Sequence, residues 1–264
     1  MEKYLSLILL LTATAILSGC IPPAIPAQPA IPTLPLSNAT CNHLSFYLDP
    51  VLGTGYECDT VPESSNSDIP MDIFIYPAHT EVTIQNYPLD HTQFPPQLII
   101  YPVKRFCELL PDRLPQRISD LEYFISSGNL SSRELPFLPP LPMRQTFFSH
   151  VAAVSFNGGQ GVRFVTNYDE ANLPISSRTV FYTFQGLTED GLYWVAVTLP
   201  ISNPTLPADA DFETLPEGYT FENWFEKYTS YVSNVKDILE AQAPDSFFPT
   251  INVLDNLVTS ITVK

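Results

Sequence analysis

Basic residues are scarce in this chain. Only 12 Lys and Arg stand against 28 Asp and Glu in 264 residues, a formal charge of −16 at neutral pH. Nucleic-acid affinity arises mainly from Lys and Arg displacing the counterions of the phosphate backbone, so this balance excludes nucleic acid as a partner. Attraction to anionic lipid headgroups is disfavoured for the same reason. Charged residues of both signs reach only 15%, against 45% apolar. Such a chain is not a disordered acidic tail and can bury a substantial core.

Catalytic motifs are missing as well. There is no Gly-x-Ser-x-Gly elbow to expose a serine nucleophile, no His-Glu-x-x-His, and no phosphate-cradling glycine loop. The Gly-rich turn at 157–161 holds no serine. Ser/His/Asp groupings can be drawn from His79, His91 or His150, but any sequence of this size permits that. His79-Thr80-Glu81 and Asp90-His91 are the only dense groupings with metal-ligand chemistry, and they read as polar residues at strand ends and turns. A long apolar run is absent too. Leu5–Leu17 is about 13 residues, short of the roughly 20 that span a bilayer.

That run follows Lys3 and ends in Leu17-Ser18-Gly19-Cys20. A basic start and a short apolar core make a signal-peptide pattern, and the four closing residues resemble the lipobox of bacterial lipoproteins. The resemblance implies that residues 1–19 are removed and that Cys20 becomes an acylated N-terminus bearing palmitate-type chains. It also implies a lipid-anchored protein on the extracytoplasmic side of the cell membrane. Two or more acyl chains hold stably where one does not.

After Cys20, prolines stand at 22, 23, 26, 29, 32 and 35. Proline fixes φ and removes the amide donor, so residues 20–40 read as an extended stalk. Sixteen such residues at about 3.1 Å each reach roughly 50 Å. A docking peptide for an aromatic-grooved partner is the other reading of this segment. An extracytoplasmic address permits disulfides, and Cys41 and Cys58 flank an expected hairpin running from Leu44–Asp49 through Gly53-Thr54-Gly55 to Tyr56. Closing that loop would stabilise by about 3 kcal/mol. Cys107, left over among apolar neighbours, reads as a small buried hydrophobe.

The remaining 41–264 is expected to be one α+β domain, an antiparallel meander covered by amphipathic helices. Leu44–Leu48, Met71–Tyr76, Glu81–Tyr87 and Gln97–Tyr101 carry strand composition. Residues 104–128 turn to helical spacing, with Gly128 as a stop. The apolar, proline-rich Leu135–Pro142 should pack along the domain. Val151–Phe156 and Val162–Tyr168 flank a glycine-rich hairpin turn, and Val180–Phe184 and Leu192–Leu199 form a second pair. Tyr193–Val197 is apolar on both faces, which predicts a central strand. One apolar stripe from Phe221 to Leu239, with Thr220 as N-cap, predicts a long helix. A shorter helix carries Ile251, Leu254, Leu257 and Val258, and a terminal strand closes the chain. From residue 150 onward this layout loosely resembles the PsbP/Mog1 α/β sandwich. The stretches Gly161–Tyr168 and Phe181–Gly186 resemble uncharacterised lipoproteins of environmental bacteria. Neither resemblance assigns a functional residue.

Few residues remain as site candidates. Asp209, Asp211 and Glu213 alternate as calcium carboxylates would, though the segment lacks the glycine and final glutamate of an EF-hand and reads first as a solvated acidic loop. Arg163 interrupts an apolar strand and calls for a carboxylate partner, or else a ligand. Trp194 and Trp224 sit at core periodicity, while exposed aromatics would be free to stack on sugars or peptides. No cofactor is indicated. Two functions follow: a non-enzymatic, membrane-tethered binding or assembly module for a protein or glycan partner, or a hydrolase whose site is assembled from scattered carboxylates. A transport receptor would want alternating βα units, which are missing.

Overall fold

A computed structural model describes residues 37–65, 72–129 and 134–264. The expected signal segment, Cys20 and the proline-rich segment up to residue 36 lie outside the described residues. The first half holds β1 (Ser37–Cys41), β2 (Leu44–Leu48), β3 (Gly55–Val61), β4 (Ser64–Ser65), β5 (Ile75–Tyr76), β6 (His79–Gln85) and β7 (Gln97–Pro102). Helices α1 (Val103–Leu109) and α2 (Leu114–Ser127) follow. Then come the long strands β8 (Arg144–Phe156), β9 (Gly159–Asp169), β10 (Val180–Thr188) and β11 (Tyr193–Pro200). Helices α3 (Phe221–Glu240) and α4 (Ile251–Ser260) and the short β12 (Thr262–Val263) close the chain.

Seven strands form one antiparallel sheet in the order β3-β6-β7-β11-β10-β9-β8, which puts β11 in the middle. Successive strand residues point to opposite faces. Val195, Val197 and Leu199 therefore enter one core and Trp194 and Ala196 the other. The first core is roofed by α3, α4 and a small sheet of β1, β2 and β12. The second is roofed by α1, α2 and the proline-rich strap, whose Leu135, Phe137 and Leu138 are buried. The protein is α+β, with a central strand covered on both sides as its composition predicts.

Local signals explain the helix ends. Thr220 and Asn223 form a reciprocal capping box at the start of α3, satisfying amides the helix cannot. Gly128 ends α2 with φ +68, a conformation glycine adopts without strain. Pro111 falls in the break between α1 and α2, so the single helical region expected over 104–128 is two helices.

Four expectations are corrected. The domain begins earlier than residue 41, because residues 37–40, placed in the stalk, pair with β2 as part of β1 (Ser37–Cys41). The expected hairpin between residues 44–49 and 56 onward does not form. Strand β2 pairs with β1 and β12, while β3 crosses to the large sheet and pairs with β6. Gly53 makes that crossing possible, since a Cβ there would lie 2.6 Å from Gln85 O. The Cys41–Cys58 disulfide is present and links the two sheets, with Cα atoms 5.6 Å apart. Met71–Tyr76 is not a strand of its own: Met71 lies outside the described residues, Asp72–Phe74 is a 3-10 turn and only Ile75–Tyr76 is extended. Finally, the apolar stripe of α3 is not buried throughout. Phe221 and Leu239, eighteen residues apart, share one angular position, yet Leu239 is 0% exposed and Phe221 58%.

Candidate functional site

At one end of the large sheet, three connections meet. They are the loop from β6 to β7, the loop from β9 to β10, and the chain leaving β11. Antiparallel pairing brings these ends together although their residues are far apart in sequence. Between them lies a cavity of about 600 Å³, lined by Leu89–Thr92, Ser177, Arg178, Ser202–Pro204, Leu206, Ala208 and Asp209.

Each wall is fixed by hydrogen bonds. On the third wall, Asn203 is 2% exposed. Its Oδ1 accepts from Thr205 N (3.0 Å) and Thr205 Oγ1 (2.7 Å), and its Nδ2 donates to Ser246 Oγ at 3.3 Å. Ser202 and Phe248 exchange two backbone bonds of 2.7 and 2.9 Å. The second wall is tied to α3: Tyr231 Oη accepts from Ile175 N at 2.8 Å, and Trp224 Nε1 donates to Asn172 O at 2.6 Å. Below the first wall, Tyr87 donates to Pro200 O at 2.6 Å, and burial pushes its pKa far up, so it stays neutral.

Arg178 latches the three walls. Its Nε donates to His91 O at 2.9 Å and its Nη1 pairs with Asp209, while its own carbonyl accepts from Gln93 N at 2.9 Å. His91 takes a left-handed φ of +54 to present that carbonyl, a conformation that His, like Asn and Asp, adopts more readily than other non-glycine residues. The lining therefore combines apolar side chains with one guanidinium, two carboxylates (Asp90 and Asp209) and the hydroxyls of Thr92, Ser177 and Ser202. His91 Nε2 lies 3.9 Å from Asp90 Oδ2, with both side chains mostly in solvent. Among the described residues no hydrogen bond joins His91 to Ser177 or Ser202. As it stands, the arrangement suits holding a small, largely apolar molecule with one or two polar groups.

The sequence candidates are distributed elsewhere. Arg163 faces the first core, where its Nε lies 3.4 Å from Asp255 Oδ1 on α4 and its Nη1 donates to His150 O. Tyr182 donates to the same Asp255 oxygen at 2.8 Å, and burial together with that carboxylate holds its pKa well above the usual value. His150 sits at a register shift in β8 with φ +51, and its Nε2 is 2.7 Å from Leu239 O. His79 Nδ1 is 2.8 Å from Pro77 O. Trp194 and Trp224 are buried in the two cores. Cys107 is a half-buried free thiol whose pKa burial raises.

The calcium arrangement is corrected. Asp209 is held by Arg178, and Asp211 Oδ1 accepts from Glu213 N, Thr214 N and Thr214 Oγ1 at 2.8, 2.9 and 3.0 Å. Asp211 thus closes a local turn, and the three carboxylates do not converge. Among the described residues no group of three or more His, Cys, Asp or Glu is placed to hold a metal.

A second cavity of about 380 Å³ lies on the other face, where Arg113, Arg117, Asp120 and Glu134 surround Phe137 and Tyr168. Arg117 Nη1 donates to Phe137 O at 2.7 Å, and Gln145 Nε2 donates to Tyr168 Oη at 3.2 Å. These contacts tie the strap to α2 and the sheet.

Neither Arg178 nor Asn203 stands out in the sequence, where each is an ordinary loop residue. No protein-family model, no curated protein and no solved structure matches this chain.

Proposed function

We propose that this chain is a membrane-tethered, extracytoplasmic binding module, anchored through acylated Cys20 and binding a small ligand in the loop-walled cavity. The observation that carries the reading is the cavity itself. Its walls come from three connections held by Arg178 and Asn203, so its shape exists before any ligand arrives. Preformed sites spend little free energy on ordering when they bind. The Cys41–Cys58 bond supports the address, because structural disulfides persist in oxidising compartments.

The binding half is tested by saturation-transfer NMR with indole, a small apolar probe carrying one donor. Transfer to indole is expected with the wild-type chain and should vanish in Ala208→Trp, which fills the cavity from an exposed position. Equal transfer in both proteins refutes the cavity as the site. The address is tested by Cys20→Ser, which should move the protein out of the membrane fraction; unchanged retention refutes the anchor.

A further inference from the structure

The first two turns of α3 expose two large apolar side chains. Phe221 is 58% and Phe225 54% exposed, one turn apart on the same side. Phe212, from the preceding loop, leans over both. The three ring centroids are 5.9, 6.0 and 5.8 Å apart, with interplanar angles of 85°, 47° and 86°. The rings are thus locked against each other and still open to solvent. Exposed apolar patches rimmed by polar residues mark interaction sites.

The sequence around the three rings is strongly acidic, with Lys227 its nearest following cation. Residues 205–226 include Asp209, Asp211, Glu213, Glu217, Glu222 and Glu226 and not one Lys or Arg. Even with Asp209 matched by Arg178, the segment stays strongly negative. Hydrogen bonds from Thr214 and Thr220 hold the carboxyls of Asp211 and Glu222 below their usual range, which keeps them ionised into mild acid.

We infer that Phe212, Phe221 and Phe225 form an apolar cup that docks a cationic polypeptide segment through an apolar side chain, with Lys or Arg on either side meeting the acidic rim. Charge complementarity sets the sign of the partner. The ring geometry favours a polypeptide over a glycan. A sugar stacks on one clear aromatic face, whereas three rings at steep mutual angles make a socket for a Leu- or Phe-sized side chain. A neutral glycan would also gain nothing from the rim. The inference rests on the binding-module reading and names a partner class for it, but it uses a separate surface. None of the three phenylalanines lines the cavity.

The test is fluorescence anisotropy of labelled peptides titrated with the full chain. Three peptides of equal length serve as probes: alternating Lys and Leu, alternating Glu and Leu, and oligolysine. Only the Lys/Leu peptide should bind well. Its affinity should fall at least tenfold in Phe221→Ser/Phe225→Ser. It should fall severalfold in Glu213→Gln/Glu217→Gln and at raised salt, where screening shortens the reach of the rim. Ala208→Trp should leave it unchanged. Equal binding of the Glu/Leu peptide, or none by any peptide, overturns the inference. So does full affinity in the phenylalanine variant, or Phe221-dependent binding of maltoheptaose in place of the Lys/Leu peptide. Loss in Ala208→Trp alone would move the partner to the cavity and leave the binding-module reading standing.

Discussion

Gln185 is the most demanding polar residue of the second core, and replacing it with Leu should be costly out of proportion to the change in size. Its side chain is fully buried in the middle of β10. Oε1 accepts from Leu138 N at 3.0 Å and from Trp194 Nε1 at 2.8 Å. Nε2 donates to Leu138 O at 3.3 Å and to Thr183 Oγ1 at 2.9 Å. One amide thus joins the strap, the central strand and its own strand, with all four bonding positions used. Gln185→Leu keeps the volume and strands two buried donors, Leu138 N–H and Trp194 Nε1–H. Each orphaned donor costs about 1–3 kcal/mol, so the two together cost roughly 2–6. The added apolar burial returns about 1–2 kcal/mol. The difference spans about 0–5 kcal/mol and centres near 2.5, a large share of the roughly 5–15 available to a domain. Urea unfolding followed by far-UV circular dichroism measures it, with an unchanged slope as the control. Adding Trp194→Phe removes one orphan, so the double variant should lose at least about 0.5 kcal/mol less than the sum of the singles. No loss for Gln185→Leu, or strict additivity, would refute this account.

Asp255→Ala should cost roughly 2–4 kcal/mol, somewhat less than the roughly 3–5 of a fully buried pair because Asp255 is partly exposed, since it takes the shared carboxylate from Arg163 and the Tyr182 hydroxyl. Asp255→Asn, which can keep the Tyr182 bond, should cost visibly less in the same unfolding assay; equal losses would deny Asp255 its pairing role. Reducing Cys41–Cys58, or replacing both with Ser, should lower stability by about 3 kcal/mol for a 17-residue separation. A redox-independent unfolding midpoint would contradict that figure. Burial raises the pKa values of Tyr87, Tyr101, Tyr168, Tyr182 and Tyr228 above their ordinary 10. The folded chain then holds protons that the unfolded chain has released, so these groups stabilise fully below about pH 10 and lose that contribution as pH climbs beyond it. Tyrosinate absorbance should lag in the native protein and rise together with alkaline unfolding. A smooth titration of all tyrosines in folded protein would disagree.

Patterns that repeat within a few residues are legible in the sequence alone. The alternation and two-faced apolarity of Tyr193–Val197 identify a central strand, because side-chain direction in a strand depends only on the neighbour. Thr220, the helical spacing from Trp224 to Leu239, and Ile251, Leu254, Leu257 and Val258 mark α3 and α4 for the same local reason. The pairing of Cys41 with Cys58 follows from there being few cysteines and a short separation. Pairing between distant segments is not local, and there the sequence misleads. Strand β2 looks like the hairpin partner of β3, yet it joins β12 from the far end of the chain, because its apolar face fits the core under α4. Phe221 carries the periodicity of a buried residue and is exposed, since burial depends on what lies opposite and not on the helix itself.

The candidate sites divide the same way. Composition and strand pattern determine the acidity and the demand of Arg163 for a partner. Only the tertiary structure supplies Asp255 as that partner, breaks up the calcium arrangement, and gathers residues 89–92, 177–178 and 202–209 around one cavity. The reason is physical: a residue's secondary structure is decided by bonds and packing within a turn or a strand pair. A site is decided by which chain ends the sheet register brings to the same edge, and no local period in the sequence encodes that meeting.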